Sequence, residues 1–357
     1  MADNEKFNKA SHRRGWIDYA RGFVIIYVVY RHAMAGLLNA GIPINNAIYL
    51  VQESSMPTFF IVSGIFIYAS ALKRGLGDFL KLKFETLMYP YFIWATIQLI
   101  IQIAFNQYSN TGKDASYLIY LITYPRAFDQ FWYLYTLFAA MALFAIINFK
   151  FVHFKVIPNI IIGLTFYSVA YYAITNKFSL NDVLFYYPFL VFGFLMADRM
   201  LPIENNFFKG KWLIYFLPVF ILLQVLWRMW YPNENQLFNV DFVGFFLFMP
   251  ITIGSALLLF LFSQKLNEWK KLKALQYIGS HSLYIYIMHL LFTGFARAFV
   301  LRFFPDLPPA AMLIIIISAG VLFPIITYHA LLKIKFTFLF EPPLFLKKIL
   351  PFANKPQ

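Results

Sequence analysis

The chain has 357 residues, of which 61% are hydrophobic, 21% aromatic and only 13% charged, a balance that excludes an ordinary water-soluble domain. It contains no cysteine, so disulfides, thiolate catalysis and cysteine-ligated metals are excluded by inventory. The net charge of +14 calls for no nucleic acid, because a basic face beside anionic lipid accounts for it.

A polar arm, residues 1–15, leads into an apolar run of full span length with no small-residue cleavage site after it, so the arm is expected to be retained. A window of about 20 apolar residues, enough to cross about 30 Å of hydrocarbon, picks out about ten spans. They are 16–38, 47–72, 84–105, 131–149, 156–174, 182–200, 212–230, 242–263, 275–301 and 310–332. Residues 16–335 thus read as one all-α, polytopic membrane bundle. The tail, 336–357, mixes aromatics with Lys and is expected to lie on the inner surface. No fixed-period repeat or low-complexity linker interrupts the pattern. The longest outer loop, 106–130, is polar enough to sit over the bundle mouth and aromatic enough to touch a sugar ring, or else is an ordinary interfacial loop with a Tyr belt.

Lys and Arg fall unevenly about these spans: 22 of the 30 lie on the side of the N-terminal arm and four, Lys113, Arg126, Lys177 and Arg302, on the other. The positive-inside bias predicts both termini in the cytoplasm and a multi-pass protein of the cell (inner or plasma) membrane.

The first span, "RGWIDYARGFVIIYVVYRHA", carries ions that hydrocarbon disfavours. At about 1.5 Å of rise per residue, Asp18 and Arg21 sit near the inner interface and His32 about 24 Å above residue 16. Asp18 and Arg21, three apart, are spaced for an ion pair. Arg21 and His32, about three turns apart, share one helix face. On the returning second span Glu53 reaches the depth of His32, about 9 Å below the outer surface. A carboxylate and an imidazole at one level make a candidate dyad, with Glu53 orienting the His32 ring. Pro57 and Gly64 are expected to thin this second helix and leave a cavity beside it.

These segments carry a family resemblance. "IDYARGFVIIYVVYRH", with ten residues between Arg21 and His32, resembles the first-helix signature of the membrane acyltransferase-3 family. "MPTFFIVSGIF" is similar to the family's Pro-x-Phe-Phe-x-x-Ser-Gly segment, "FWYLYTLF" to its Trp-Phe-Leu segment, and "IGSHSLYIYIMHLLF" to its late Gly-x-x-Ser-x-x-x-Tyr-x-x-His segment. Within the family the sugar O-acetylases of the fucose 4-O-acetylase type look closest. The resemblance implies transfer of an acyl group, usually acetyl, from cytoplasmic acetyl-CoA to a hydroxyl of a cell-surface or lipid-linked glycan. It further implies that His32 is the essential catalytic residue and that Arg21 engages the CoA side. One departure is visible: "KLKFETLMYPYFIW" has Thr86 where the family often has Arg, and the neighbouring Lys lack Arg's bidentate geometry toward phosphate.

Read as chemistry, the inventory fits. His32 suits proton abstraction from a sugar hydroxyl, or transient acylation of its own ring. Arg14, Lys73, Arg74, Lys81 and Lys83 are the cytoplasmic cations available to the phosphates of CoA. Ser63, Trp132, Tyr133 and Tyr286 are candidate donors to the oxyanion of the tetrahedral intermediate. His289, mid-span, serves either an interhelix hydrogen bond or substrate. His12, His153, His281 and His329 read as interfacial, and Arg228 and Arg297 as outer-end cations that snorkel or bind an anionic lipid-linked sugar. No pair of His at i, i+4 with a carboxylate is present, so no metal is expected. Expected partners are the bilayer, acyl-CoA and the glycan; self-association into a homo-oligomer is left open. The rival class, a glycan or lipid transporter, calls for matching repeats with Gly/Pro-broken helices, which the sequence lacks.

Overall fold

The computed structural model describes residues 15–44, 55–104, 112–172, 175–201, 210–230 and 241–343, with Arg228 by its backbone alone. Among them there is no strand. In hydrocarbon every backbone N–H and C=O must bond within its own segment, and a helix does this for each of the apolar runs. The helices are α1 (Gly15–Asn39), α2 (Ser55–Lys83), α3 (Tyr89–Ala104), α4 (Trp132–Ile147), α5 (Val156–Ala170), α6 (Leu180–Met200), α7 (Leu213–Trp230), α8 (Phe242–Trp269), α9 (Lys273–Ser280), α10 (Ser282–Phe303) and α11 (Pro309–Lys333).

Among the described residues seven helical stretches are long and apolar enough to cross a membrane. One is a 50-residue run, Ser55–Ala104, that takes in the described part of the second and third expected spans. Val156–Ala170, at 15 residues, is a shorter apolar helix, and the Leu213–Trp227 part of α7 is also apolar. The segment between the second and third spans, expected as a loop, is helical. α2 bends at Gly75, whose φ of 72° suits a residue without Cβ, and continues to Lys83. A π-helical turn, Phe84–Met88, joins it to α3. The expected single span 275–301 is likewise two helices, broken at His281 (φ −105°, ψ 12°).

α1 is the central post, packed against α2, α8, α9, α10 and α11. Its approach to α9 is set by small residues: a Cβ on Gly279 would lie 1.7 Å from the Asp18 carbonyl oxygen. α2 and α6 touch backbone to backbone in the same way, where a Cβ on Gly64 would fall 2.0 Å from the Leu190 oxygen. Gly64 therefore serves helix packing; the cavity beside α2 opens instead along Phe59 and Ser63. Reciprocal amide bonds between Asn148 and Asn159 (2.7 and 3.0 Å) pin the α4–α5 turn. Outward, α7 and α11 present Ile214, Val219, Leu222, Ile314, Leu322 and Ile326, an apolar face suited to lipid.

The start of the tail does not simply rest on a surface. Phe340 is buried against Trp94, Tyr284 and Tyr328, while the Trp94 indole donates to Leu339 O (2.8 Å) and the Tyr89 hydroxyl to Phe338 O (2.6 Å). Aromatic surface outweighs the neighbouring Lys at this point.

Candidate active site

A cavity of about 230 Å³ opens where α1, α2, α4, α10 and the π turn meet. Arg21, Lys83, Thr86 and Ser282 give it polar groups, Leu87, Leu134, Leu137, Met141 and Leu283 give apolar walls, and Tyr133 and Tyr286 meet across it with ring centroids 5.2 Å apart. Two cations beside an apolar sleeve suit a long substrate with an anionic head and a neutral arm. Lys83 lies beyond the bend of α2 at Gly75 and lines this site.

Tyr286 is buried, and its hydroxyl donates to the Gln130 carbonyl oxygen. One turn further along α10, the ring of His289 lies 5.9 Å from that of Tyr286 and 5.1 Å from that of His32 on α1. His289 is fully buried and its Nδ1 faces two carbonyl oxygens, Tyr286 O at 2.8 Å and Ile285 O at 3.2 Å. A carbonyl only accepts, so Nδ1 carries the proton and Nε2 presents its lone pair. That Nε2 has no hydrogen-bond partner among the described residues. An unpartnered basic nitrogen at such depth is costly, which marks it as a candidate functional atom.

The loop before α4, expected over the mouth, packs into the bundle. Phe128, Gln130 and Phe131 are buried within the bundle, and the loop is anchored by a two-point ion pair. Arg126 Nε and Nη2 reach Asp182 Oδ2 and Oδ1 of α6 at 2.8 and 2.5 Å. The guanidinium also lies 4.3 Å over the Trp132 ring, so Trp132 holds the anchor and does not line the cavity. Nearer the loop's start Asp114 caps a helical turn through Ser116, whose hydroxyl and backbone N–H hold its carboxyl below the usual carboxylate range.

Of the residues singled out from sequence, Arg21, Lys83, Ser63, Tyr133 and Tyr286 line one cavity, with His32 and His289 paired beyond Tyr286. Asp18 is buried on α1 against α9. Lys73 and Arg74 are exposed and outside the cavity, with Arg74 bonded to Ser70; Lys81 is half-buried and also outside it. Arg14 and Glu53 lie outside the described residues, so among the described residues the ring facing His32 is His289. Arg297 lies against Gly36 near the C-terminal end of α1. No group of three or more potential metal ligands occurs among the described residues. The Arg126–Asp182 anchor escaped the sequence reading, although a lone Asp heading the apolar run "LNDVLFYY" is a signal that some cation must meet it.

Such a bundle, with ionisable groups turned inward and apolar helices outward, defines a multi-pass membrane protein. The acyltransferase-domain family model matches residues 14–329, and the chain belongs to that acyltransferase-3 family and is an acyltransferase. No curated protein and no solved structure matches it.

Proposed function

We propose that the protein moves an acetyl group from cytoplasmic acetyl-CoA to a hydroxyl of a cell-surface or lipid-linked glycan, as the sugar O-acetylases of the fucose 4-O-acetylase type do. On this reading the chain crosses the cell (inner or plasma) membrane ten times with both termini in the cytoplasm. One observation carries it: the cavity joins the cations Arg21 and Lys83 to Tyr286, and the His32–His289 ring pair stands one turn beyond.

Arg21 and Lys83 bind the phosphate-bearing part of the donor, with Arg14, Lys73, Arg74 and Lys81 supplying a positive field at the inner face. The neutral arm and its thioester follow the apolar wall toward Tyr133 and Tyr286. His32 takes the proton of the acceptor hydroxyl, the oxygen attacks the thioester carbonyl, and Ser63 or Tyr133 donates to the oxyanion, the Tyr286 hydroxyl being already given to Gln130 O. The C–S bond then breaks and the CoA thiolate receives the proton from the imidazolium. If His32 is acylated first, its ring nitrogen makes the same attack and the acetyl-imidazole hands the group to the acceptor. Glu53 orients His32, and Nε2 of His289 holds the proton shared between the two rings. Asp18 sets the register of α1 on which Arg21 and His32 ride.

The test is acetyl-CoA-dependent release of CoA by purified protein with a panel of glycan and lipid-linked sugar acceptors. Release by wild type that vanishes in a folded His32→Ala variant supports the reading. Equal rates remove His32 from the chemistry, and no release with any acceptor overturns the assignment. Radiolabelled acetyl retained on the protein without acceptor separates the acyl-imidazole route from direct transfer.

A further inference from the structure

Asp129 is an exposed residue between the buried Phe128 and Gln130, with φ 49° and ψ −112°, a conformation that suits glycine and is sparsely used by other residues. It is held there from three sides. Its Oδ2 receives the Lys113 ammonium (3.3 Å), the Gln98 amide (3.2 Å) and the Gln102 amide (3.3 Å). Lys113 is itself only 5% exposed and also donates to Ala127 O at 2.7 Å. Gln98 in turn accepts from the Gln130 amide (3.0 Å). A strained residue fixed by so many partners is the pattern of a binding site rather than of an ordinary turn.

The open valences of this cluster are all of one kind. Asp129 Oδ1 has no partner among the described residues while the side chain is 38% exposed. The Oε1 atoms of Gln102 and Gln130 are buried without a donor among the described residues, and Gln130 is 2% exposed overall. Three acceptors therefore await O–H or N–H groups. A cationic ligand is disfavoured, because Lys113 already matches the Asp129 carboxylate. The Tyr117 ring, 5.8 Å from the Lys113 ammonium, adds an aromatic surface beside the polar groups. Several hydroxyl donors on a neutral ring with an apolar face is the chemistry of a sugar.

We infer that Asp129, Gln98, Gln102 and Gln130 form the subsite that binds the hydroxyls of a neutral sugar ring of the acceptor. The inference rests on the acceptor reading above and assigns it a place. That place adjoins the reaction centre: the residue after Asp129 is Gln130, whose carbonyl takes the Tyr286 hydroxyl, and Tyr286 neighbours His289. The subsite thus grips one part of the sugar while the loop holds Tyr286 at the outer end of the donor cavity.

The experiment is ligand-observed NMR titration of full-length protein in nanodiscs with methyl glycosides of neutral hexoses and 6-deoxyhexoses, each paired with its permethylated form. Wild type should bind at least one methyl glycoside and none of the permethylated forms, which have no hydroxyl donors. Asp129→Asn, which keeps the shape, and Gln102→Leu, at a more open position, should each weaken binding about tenfold, the scale of one hydrogen bond to a charged or buried partner. Equal affinity in wild type and both variants, equal binding of permethylated sugars, or no binding across the panel overturns the subsite. Binding that behaves as stated while CoA release fails with every acceptor would instead overturn the transfer reading and leave the subsite standing. Turnover with an unchanged acceptor KM in Asp129→Asn would remove the subsite alone.

Discussion

The Arg126–Asp182 pair allows an asymmetric prediction. Asp182 has no exposed surface, whereas the Arg126 side chain is 28% exposed and keeps its contact with Trp132 whatever happens to Asp182. Replacing Arg126 by Met strands a fully buried carboxylate, and breaking a buried pair in this way costs about 3–5 kcal/mol. Asp182→Asn leaves a cation that still reaches water and one amide oxygen still able to accept, so its cost is about 1–3 kcal/mol. The double variant removes both charges and should return to within about 2 kcal/mol of wild type, because the desolvation of both ions is relieved together. Reversible unfolding in mixed micelles, followed by the fluorescence of Trp132 and its fellows, measures the cycle. Equal losses in the two single variants, or a double variant as unstable as the sum of both, would refute the claim that a buried charge pair anchors the loop.

Three further outcomes follow from the packing and the cavity. Gly193→Ala should lower stability by about 1–3 kcal/mol or more, since the new Cβ falls 2.0 Å from the Ile61 carbonyl oxygen; Gly254→Ala, whose Cβ would meet only the Phe220 ring at 4.0 Å, should leave the melting temperature nearly unchanged. Lys83→Ala should raise the KM for acetyl-CoA about tenfold or more with a smaller fall in kcat, the pattern of a lost charge-assisted contact to the donor; steady-state kinetics in both substrates read the split. His289→Gln should lower kcat by about 10²–10⁴-fold with little change in donor KM, as expected when a proton-handling group is lost, and a stopped-flow measurement of the CoA burst locates the loss in the chemical step.

Apolar run length announced the helices, because hydrocarbon leaves an apolar chain little other choice. It did not announce how they join. Gly75 reads in sequence as one more small residue in a basic loop, yet α2 bends there and Lys83, beyond the bend, lines the cavity. Periodicity on α1 placed Arg21 and His32 on one face, and both lie where that face meets α10 or the cavity. The pairing of His32 with His289 could not be read the same way, since it joins residues 257 positions apart in number through the crossing of α1 and α10. Polar loop residues were the hardest: Lys113 and Asp129 look solvated in sequence, and only the descent of the loop into the bundle buries the first and fixes the second.

The central claim is that donor and acceptor meet from opposite faces of the membrane. Proteoliposomes with a defined orientation, given acetyl-CoA on the side of the Arg21–Lys83 cations and a membrane-impermeant glycan on the side of the Asp129 loop, test it directly. The account predicts acetylated glycan in that arrangement and none when acetyl-CoA and glycan are both supplied on the loop side. Transfer that proceeds with both substrates on the loop side would contradict it.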